Sequence, residues 1–194
     1  MSERELVRQA APTLAGIKTG NLFPCRYASF EELKTDIGSV NRRLREKGLR
    51  LLPLRYAAGR ALLYLYRPAR LQKDLAAPEA REILRDAGYG DGRQERCLGE
   101  LMRRLRAEGA FPHEIGLFLG YPPEDVRGFM EHRGRESKCE GCWKVYGDAE
   151  RARETFRRYR RCTAQYLVRH EAGTPLARLA VAIPTCLSRD TMIR

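Results

Sequence analysis

Two cysteines in the stretch CEGCW, Cys139 and Cys142, have a spacing that is typical of metal-binding turns. A glycine before the second cysteine keeps the turn tight, and such a turn points two thiolates at one metal ion. With His132 upstream and Cys162 downstream, the sequence predicts a Cys₃His zinc site or an iron–sulfur cluster held by three thiolates. The alternative is a buried thiol at Cys162. A redox role for the CxxC pair fits less well, because the strand-like WKVY follows the pair.

A histidine and a glutamate, His113 and Glu114, stand in the first turn of a predicted helix in FPHEIGLFLGY. An imidazole beside a carboxylate can act as an acid–base pair, but adjacent helical residues point about 100° apart. The sequence HEIG also lacks the second histidine of the H-E-x-x-H zinc helix. A cysteine enzyme would need a thiol near His113, and Cys25 in NLFPCRY is the candidate. In the alternative, Glu114 caps the helix and His113 bonds a backbone carbonyl.

The segment ERARETFRRYRRC, residues 150–162, is the most concentrated basic region of the chain. If it is a helix with Phe156 and Tyr159 turned inward, its arginines occupy the outer face. They are Arg151, Arg153, Arg157, Arg158, Arg160 and Arg161. Such a face can grip phosphates without reading a base sequence. The alternative is a solvated face that Glu150 and Glu154 partly compensate.

The whole chain is basic, with a net charge of +12 and 31 arginines among its 37 Lys and Arg residues. This balance favours a polyanionic partner such as nucleic acid, a nucleotide or a membrane surface. Genome composition also raises arginine counts, so clustering is more informative than the total. No apolar run approaches the roughly 18 residues that span a bilayer, and the first residues resemble no secretion signal. We therefore expect a cytoplasmic protein, in which the six cysteines form no disulfide framework.

The chain that must position these residues reads mainly as helices. A helix over residues 2–11 is expected to end at Pro12, and residues 11–25 are expected to form a short strand or an extended buried segment. Ser29 opens a capping-box pattern, FEEL, before a helix that ends at Gly48. Residues rich in Leu and Tyr then predict a β-hairpin near 49–67. Helices through 71–75 and 83–87 and a loop at 88–93 follow.

The region 93–132 predicts a trihelical unit that resembles a helix-turn-helix. Its expected helices are 93–108, 112–119 and 123–132. Gly116 provides the small residue inside the second helix, and Gly120 provides the turn. The apolar anchors that would hold the last two helices together are Ile115, Leu119, Val126 and Phe129.

The last helix of this unit is a poor DNA-reading helix. Base contacts come from the N-terminal end of a recognition helix, where this chain places Glu124 and Asp125. Two carboxylates there repel phosphates and suit the helix dipole instead. The basic residues Arg127, Arg133 and Arg135 lie later and are candidate polyanion contacts. A trihelical fold without sequence-specific DNA reading is the prediction.

The C-terminal part contains the basic helix. WKVY, residues 143–146, predicts a short strand, and Asp148 is expected to cap a long helix that runs to about Leu167. A short helix over 173–183 and a loose tail over 181–194 complete the chain. The sum is an α+β fold, mainly helical with a small sheet, in a single domain over residues 1–180.

Several long stretches together resemble a family of small proteins from anaerobic bacteria that is known as a domain of unknown function. They are FPHEIGLFLGYPPEDVRGF, APTLAGIKTGNLF, LYLYRPARL and CWKVYGDAERARETFRRYRRC. The resemblance spans about residues 8–180, and its most specific part is the pattern F-P-H-E-I-G-x-F-L-G-Y-P. It implies an intracellular protein of an anaerobe, where thiolate–metal sites are chemically comfortable. It implies no catalytic mechanism and no substrate.

Two functions remain as hypotheses. The first is a non-enzymatic protein that contacts a polyanion, nucleic acid or nucleotide, through its basic helical surface. The second is a metal-handling or redox protein with Zn or an iron–sulfur cluster, or a Cys/His enzyme.

Overall fold

The computed structural model describes residues 1–90, 93–107 and 111–182. Three features expected from the sequence lie at least partly outside the described residues: the middle of the loop 88–93, the end of the helix 93–108, and almost all of the tail 181–194. Among the described residues, no helix is both long enough and apolar enough to cross a membrane.

A three-stranded antiparallel sheet confirms the predicted hairpin and extends it. Its strands are β1 (Gly20–Arg26), β2 (Arg50–Ala57) and β3 (Arg60–Tyr66), in the order β1-β3-β2. Ala58 and Gly59 both have positive φ, 48° and 71°, which is the backbone geometry of a two-residue hairpin turn. Phe23 faces Leu63 across the first pair of strands, and Leu51 faces Leu65 across the second.

The N-terminal helix α1 (Glu3–Leu14) is longer than expected. Pro12 does not end it, because Ala10 leaves helical geometry (φ −134°, ψ 15°) and the helix restarts after this kink. Pro12 then stands at the beginning of a new turn, where its missing N–H has no helical partner to lose. Of the predicted extended segment 11–25, only the part from Gly20 onward is a strand.

The second helix, α2 (Phe30–Leu44), forms as expected. The backbone N–H of Glu32 donates to Ser29 Oγ at 3.1 Å, which is the predicted cap. A 3₁₀ turn over Arg45–Lys47 follows, and Gly48 ends it in the left-handed region at φ 70°.

Five helices connect the hairpin to the second half of the chain. They are α3 (Pro68–Ala76), α4 (Pro78–Asp86), α5 (Gln94–Arg106), α6 (Ile115–Phe118) and α7 (Pro123–Glu131). The glycine corner is confirmed, since the chain turns between α6 and α7 at Gly120 with φ 74°. However, α6 is a single turn, and the corner packs mainly on α3 and α4, whereas α5 packs on β2 and α3. The predicted trihelical unit is therefore part of a larger helical layer.

The C-terminal part pairs two short strands, β4 (Cys139–Glu140) and β5 (Lys144–Val145), in a second small sheet. The predicted strand WKVY corresponds to β5, and β4 was not expected. Helix α8 (Ala149–Glu171) runs four residues beyond the expected Leu167 and packs along α1. The last helix, α9 (Leu176–Leu179), is shorter than the predicted 173–183.

The three-stranded sheet lies between two helical layers. Along β3, Leu63 and Leu65 point into one core with α1, α2, α8 and α9, whereas Tyr64 and Tyr66 point into another with residues of α3 to α7. This period of two is the alternation of a strand that is buried on both faces. The sheet thus fixes the position of α8 on one side and of the glycine corner on the other.

A buried arginine joins distant segments of the chain. Arg67 is 2% exposed and donates to four backbone carbonyls: Thr13 O at 2.7 Å, Leu14 O at 2.7 Å, Lys47 O at 3.0 Å and Val181 O at 2.8 Å. Two of these carbonyls end α1, where the helix dipole favours a positive charge. Burial and the neighbouring Arg70 lower the pKa of Arg67 to about 10.

Candidate anion-binding face and clefts

The long helix α8 places its arginines as the sequence predicted. Asp148 Oδ1 accepts the backbone N–H groups of Glu150 and Arg151, both at 3.0 Å, and so caps the helix. The buried stripe of the helix consists of Ala152, Phe156, Tyr159, Cys162 and Tyr166. The six arginines at positions 151, 153, 157, 158, 160 and 161 are exposed and are called the basic face below.

No arginine of the basic face forms an ion pair with a described residue. Glu150 and Glu154 lie among these arginines in the helical arrangement, yet neither pairs with them. At about 1.5 Å per residue, the face extends roughly 15 Å along the helix axis. The basic face is therefore a compact positive surface. Because Glu150 and Glu154 do not pair with its arginines, the guanidinium groups are available to bind an anion.

The three arginines of the glycine corner contribute differently. Arg127 donates to Glu82 Oε2 of α4 at 2.6 Å, so this predicted polyanion contact is engaged in an interhelical ion pair. Arg133 and Arg135 lie beyond the end of α7 and are exposed. Arg133 has positive φ, 50°, in the turn that leaves the helix.

A cleft of about 690 Å³ is lined by residues of α3, the glycine corner, Trp143 and one side of α8. It is called the larger cleft below. Arg151 and Arg158 of the basic face line it, together with Arg70. Four carboxylates line it as well: Asp74, Glu124, Asp125 and Asp148. The larger cleft therefore contains charges of both signs.

Asp125, one of those carboxylates, is 3% exposed and fastens the β4–β5 hairpin to α7. Its Oδ1 accepts the backbone N–H groups of Tyr146 and Gly147, and its Oδ2 accepts Trp143 Nε1–H, each at 2.7 Å. The sequence placed Asp125 in the first turn of a helix, and the structure shows that the carboxylate is buried there. The N-terminal end of α7 is thus occupied by its own hairpin.

A smaller cleft of about 470 Å³ lies on the other side of α8 and is called the lysine cleft below. Tyr121 and Tyr159 line both clefts and separate them. Lys18 is 5% exposed in this cleft, and its Nζ donates to Gly20 O at 2.5 Å. Burial lowers the pKa of Lys18 to about 8, against the opposing effect of Cys142. Sequence reasoning did not select Lys18, although it is the single charged residue in the segment 11–25.

The four predicted metal ligands do not come together. Cys162 lies in the core between α8, α1 and the sheet, and burial raises the pKa of its thiol. Cys139 packs with Val145 and Phe156, whereas Cys142 is exposed. The ring of His132 stacks on Tyr146, and its Nδ1 lies 3.1 Å from Glu136 Oε2. Among the residues that the structure describes, no group of three or more His, Cys, Asp or Glu side chains could hold a metal ion.

The predicted Cys25–His113 pair is not brought together either. Cys25 is buried in the core that contains α1 and α2, and burial raises the pKa of its thiol, which disfavours the thiolate. His113 packs instead between the rings of Phe111 and Phe129, at centroid distances of 6.2 and 4.9 Å.

Glu114 has a different structural role from the one expected. Its side chain makes no cap bond to α6. It is buried, and its Oε1 accepts Tyr89 O–H at 3.0 Å and Arg104 Nη1–H at 3.3 Å. Glu114 therefore links the glycine corner to α5 instead of forming an acid–base pair with His113.

Comparisons with known proteins give one family. No curated protein matches the chain, and no solved structure matches it. The family model described as "Protein of unknown function (DUF3793)" matches residues 6–180. Because this match covers most of the 194 residues, the chain belongs to the family described as DUF3793.

Proposed function

We propose that this protein binds a polyanionic partner, nucleic acid or nucleotide, and that the basic face of α8 is the contact surface. The observation that carries the proposal is that six exposed arginines share one helical face without forming an ion pair to any described residue. Guanidinium groups held on a rigid helix are well suited to phosphate oxygens.

The groups that are free to contact nucleic acid indicate that it is bound through its phosphates and not through its bases. The basic face offers charge along the helix but no recognition helix, because Asp125 and the β4–β5 hairpin occupy the N-terminal end of α7. Contacts to phosphates supply affinity and position without reading bases. We therefore propose binding that depends strongly on salt and weakly on base sequence.

The test is the salt dependence of binding to labelled DNA, RNA and polyphosphate, measured by fluorescence anisotropy. The variant R153Q/R157Q/R161Q removes three arginines of the basic face, none of which lines either of the two clefts described above. For duplex DNA, each lost phosphate contact reduces the slope of log affinity against log salt by about 0.9, so we expect a slope smaller by about two to three.

The matched control is R42Q/R45Q/R81Q, which removes the same charge from exposed arginines on α2, the 3₁₀ turn and α4. It should leave most of the slope intact, since these residues lie outside the basic face. Affinity that stays constant as salt rises, or equal losses in the two variants, would contradict the proposal. Competition by a mononucleotide against polyphosphate then distinguishes a nucleotide partner from a polymer.

A second candidate is thiolate metal binding at the β4–β5 hairpin. It is favoured by one observation, that Cys139 in β4 and Cys142 in the turn that follows β4 are both free thiols of one short hairpin. Two thiolates are half of a typical structural zinc site. Metal analysis after anaerobic purification, with C139S/C142S as the control, tests this candidate. Zn or Fe contents that are equal in the two proteins would rule it out.

A further inference from the structure

The lysine cleft contains a buried positive charge that the described residues do not neutralise. Lys18 forms no ion pair with a described carboxylate, and its single hydrogen bond goes to Gly20 O. An ammonium group has three donors, so two of its N–H groups have no described protein acceptor. The Tyr121 ring lies 5.3 Å from Nζ and stabilises the cation only partly.

A second cation lines the same cleft. Arg160 of the basic face borders it and forms no ion pair with a described residue. The residues that line the lysine cleft include no Asp or Glu. In the larger cleft, by contrast, four carboxylates accompany three arginines. The lysine cleft is therefore the more positive of the two, and an anion is the ligand that its charges favour.

The walls of the cleft limit the size and character of the ligand. Pro12, Tyr121 and Leu167 provide apolar surface, and the hydroxyl-bearing residues Tyr159 and Thr163 lie beside Arg160. A volume of about 470 Å³ is at the lower end of the range for small-molecule pockets, roughly 300 to 1,000 Å³. A ligand with one charged group and one small apolar group matches this lining.

We infer that the lysine cleft binds a small organic anion, with its carboxylate or phosphate group between Lys18 and Arg160 and its apolar part on the Tyr121 ring. Such a ligand would remove the cost of burying an unpaired ammonium group. The proposed site shares Arg160 with the basic face, but it does not require polyanion binding, because Lys18 is buried in the cleft and is not part of that face.

The experiment is a calorimetric titration of the protein with four small probes: benzoate, phenyl phosphate, inorganic phosphate and the neutral benzamide. We expect saturable binding of benzoate or phenyl phosphate, and about tenfold or greater weakening for benzamide and inorganic phosphate. The stronger of the two anions identifies the preferred head group. Equal affinity for benzamide and the stronger of the two organic anions, or no saturation by either organic anion at millimolar concentrations, would overturn the inference.

Two pairs of variants locate the site. K18M should weaken the binding of the organic anion by about tenfold or more, whereas K73M, at an exposed lysine of α3, should not. R160Q should weaken it as well, whereas its neighbour R161Q, which does not line the cleft, should leave it unchanged. Retention of full affinity by K18M would overturn the inference.

A labelling measurement on the unaltered protein guards against a folding defect in K18M. The rate of acylation of Lys18 by an uncharged succinimidyl ester is followed by mass spectrometry, with Lys73 as the internal standard. The bound anion should slow the labelling of Lys18 and leave that of Lys73 unchanged. The same labelling rate for Lys18 with and without the anion would contradict the site. The variant R153Q/R157Q/R161Q separates the two proposals, since it should weaken polyanion binding and leave the affinity for the small anion unchanged.

Discussion

Some charged residues of this protein are exposed on a helix, as the arginines of α8 are, and others are buried by distant segments, as Lys18 and Asp125 are. The arginines of α8 could be placed because helical periodicity alone decides which side of the helix they occupy. Lys18 and Asp125 could not be placed, because their burial depends on contacts with segments far away in the sequence. Lys18 lies in a cleft with Cys142 and Arg160, and Asp125 binds the backbone at positions 146 and 147. A charged residue inside an apolar segment was the available signal for Lys18.

The buried Lys18 predicts a specific dependence of stability on pH. The pKa of the Lys18 amine is about 8 in the folded protein, whereas a solvated lysine, as in the unfolded chain, has a pKa of 10.5. Below pH 8 the amine is protonated in both states, so its burial penalty is constant. Between these two pKa values only the unfolded chain binds the proton, and the contribution of Lys18 to the free energy of unfolding rises with pH. The rise amounts to about 3 kcal/mol in total.

The measurement is urea unfolding of the wild type and K18M across this pH range. The free energy of unfolding of the wild type, minus that of K18M, should be flat below neutral pH and should increase as the solution becomes alkaline. The same difference taken with K73M should stay flat throughout, since Lys73 is exposed. If the free energy of unfolding of the wild type minus that of K18M stays flat or falls as the pH rises, Lys18 is not buried as an unpaired amine.

At the scale of elements, the glycine corner was predictable and its packing partners were not. The sequence identified the small residue and the turn residue, and both roles are steric. An added Cβ at Gly116 would lie 2.7 Å from Val126 Cγ2, and Gly120 has φ 74°. The partners of the corner, α3 and α4, depend on how the hairpin directs the chain, which no local pattern encodes. The same limit explains why α1 continued through Pro12, since the kink at Ala10 had no sequence signal.

The corner therefore predicts opposite outcomes for two similar substitutions. G116A should destabilise the protein by about 1–3 kcal/mol, because the new methyl group would overlap Val126 and Tyr121. G99A, on the exposed side of α5, has no atom within 4 Å of the new Cβ. It should stabilise the protein by about 0.5–1 kcal/mol through helix propensity. Thermal unfolding followed by circular dichroism measures both, and equal shifts in Tm would contradict the close packing of α6 on α7.

At the scale of the whole molecule, the fold class was predictable because the longer helices and the hairpin had clear periods in the sequence. The arrangement of the sheet between two helical layers was not predictable. It depends on β1, which pairs with the hairpin but lies in a segment, residues 11–25, that also contains the end of α1 and a loop. The charge is unevenly distributed in the result: α8 contributes exposed arginines on one outer layer, and the only buried arginine among the described residues, Arg67, lies between segments from both ends of the chain. The chain thus uses the same residue type for its surface and for its internal connection.

Replacing Arg67 should lower the free energy of unfolding and loosen several segments that are distant in the sequence. In R67M, four carbonyls would lose the guanidinium donor; those of Thr13 and Leu14 would keep the backbone N–H groups of Gly16 and Val181, whereas no other donor is seen for those of Lys47 and Val181 among the described residues. Each carbonyl left without a donor costs about 1–3 kcal/mol, whereas the exposed control R55M should change stability by less than about 0.5 kcal/mol. R67K should recover only part of the loss, because one ammonium group cannot reach four carbonyls in the geometry of a guanidinium fork.

Hydrogen exchange distinguishes this prediction from a local defect. Because Arg67 connects the end of α1, the 3₁₀ turn and the segment at Val181, R67M should accelerate amide exchange in all three regions at once. Exchange that increases only beside residue 67, with the end of α1 unchanged, would show that these segments are held together without the hydrogen bonds of Arg67. The joint response is expected because Arg67 donates to backbone carbonyls in all three regions, and the methionine side chain has no N–H group to donate to them.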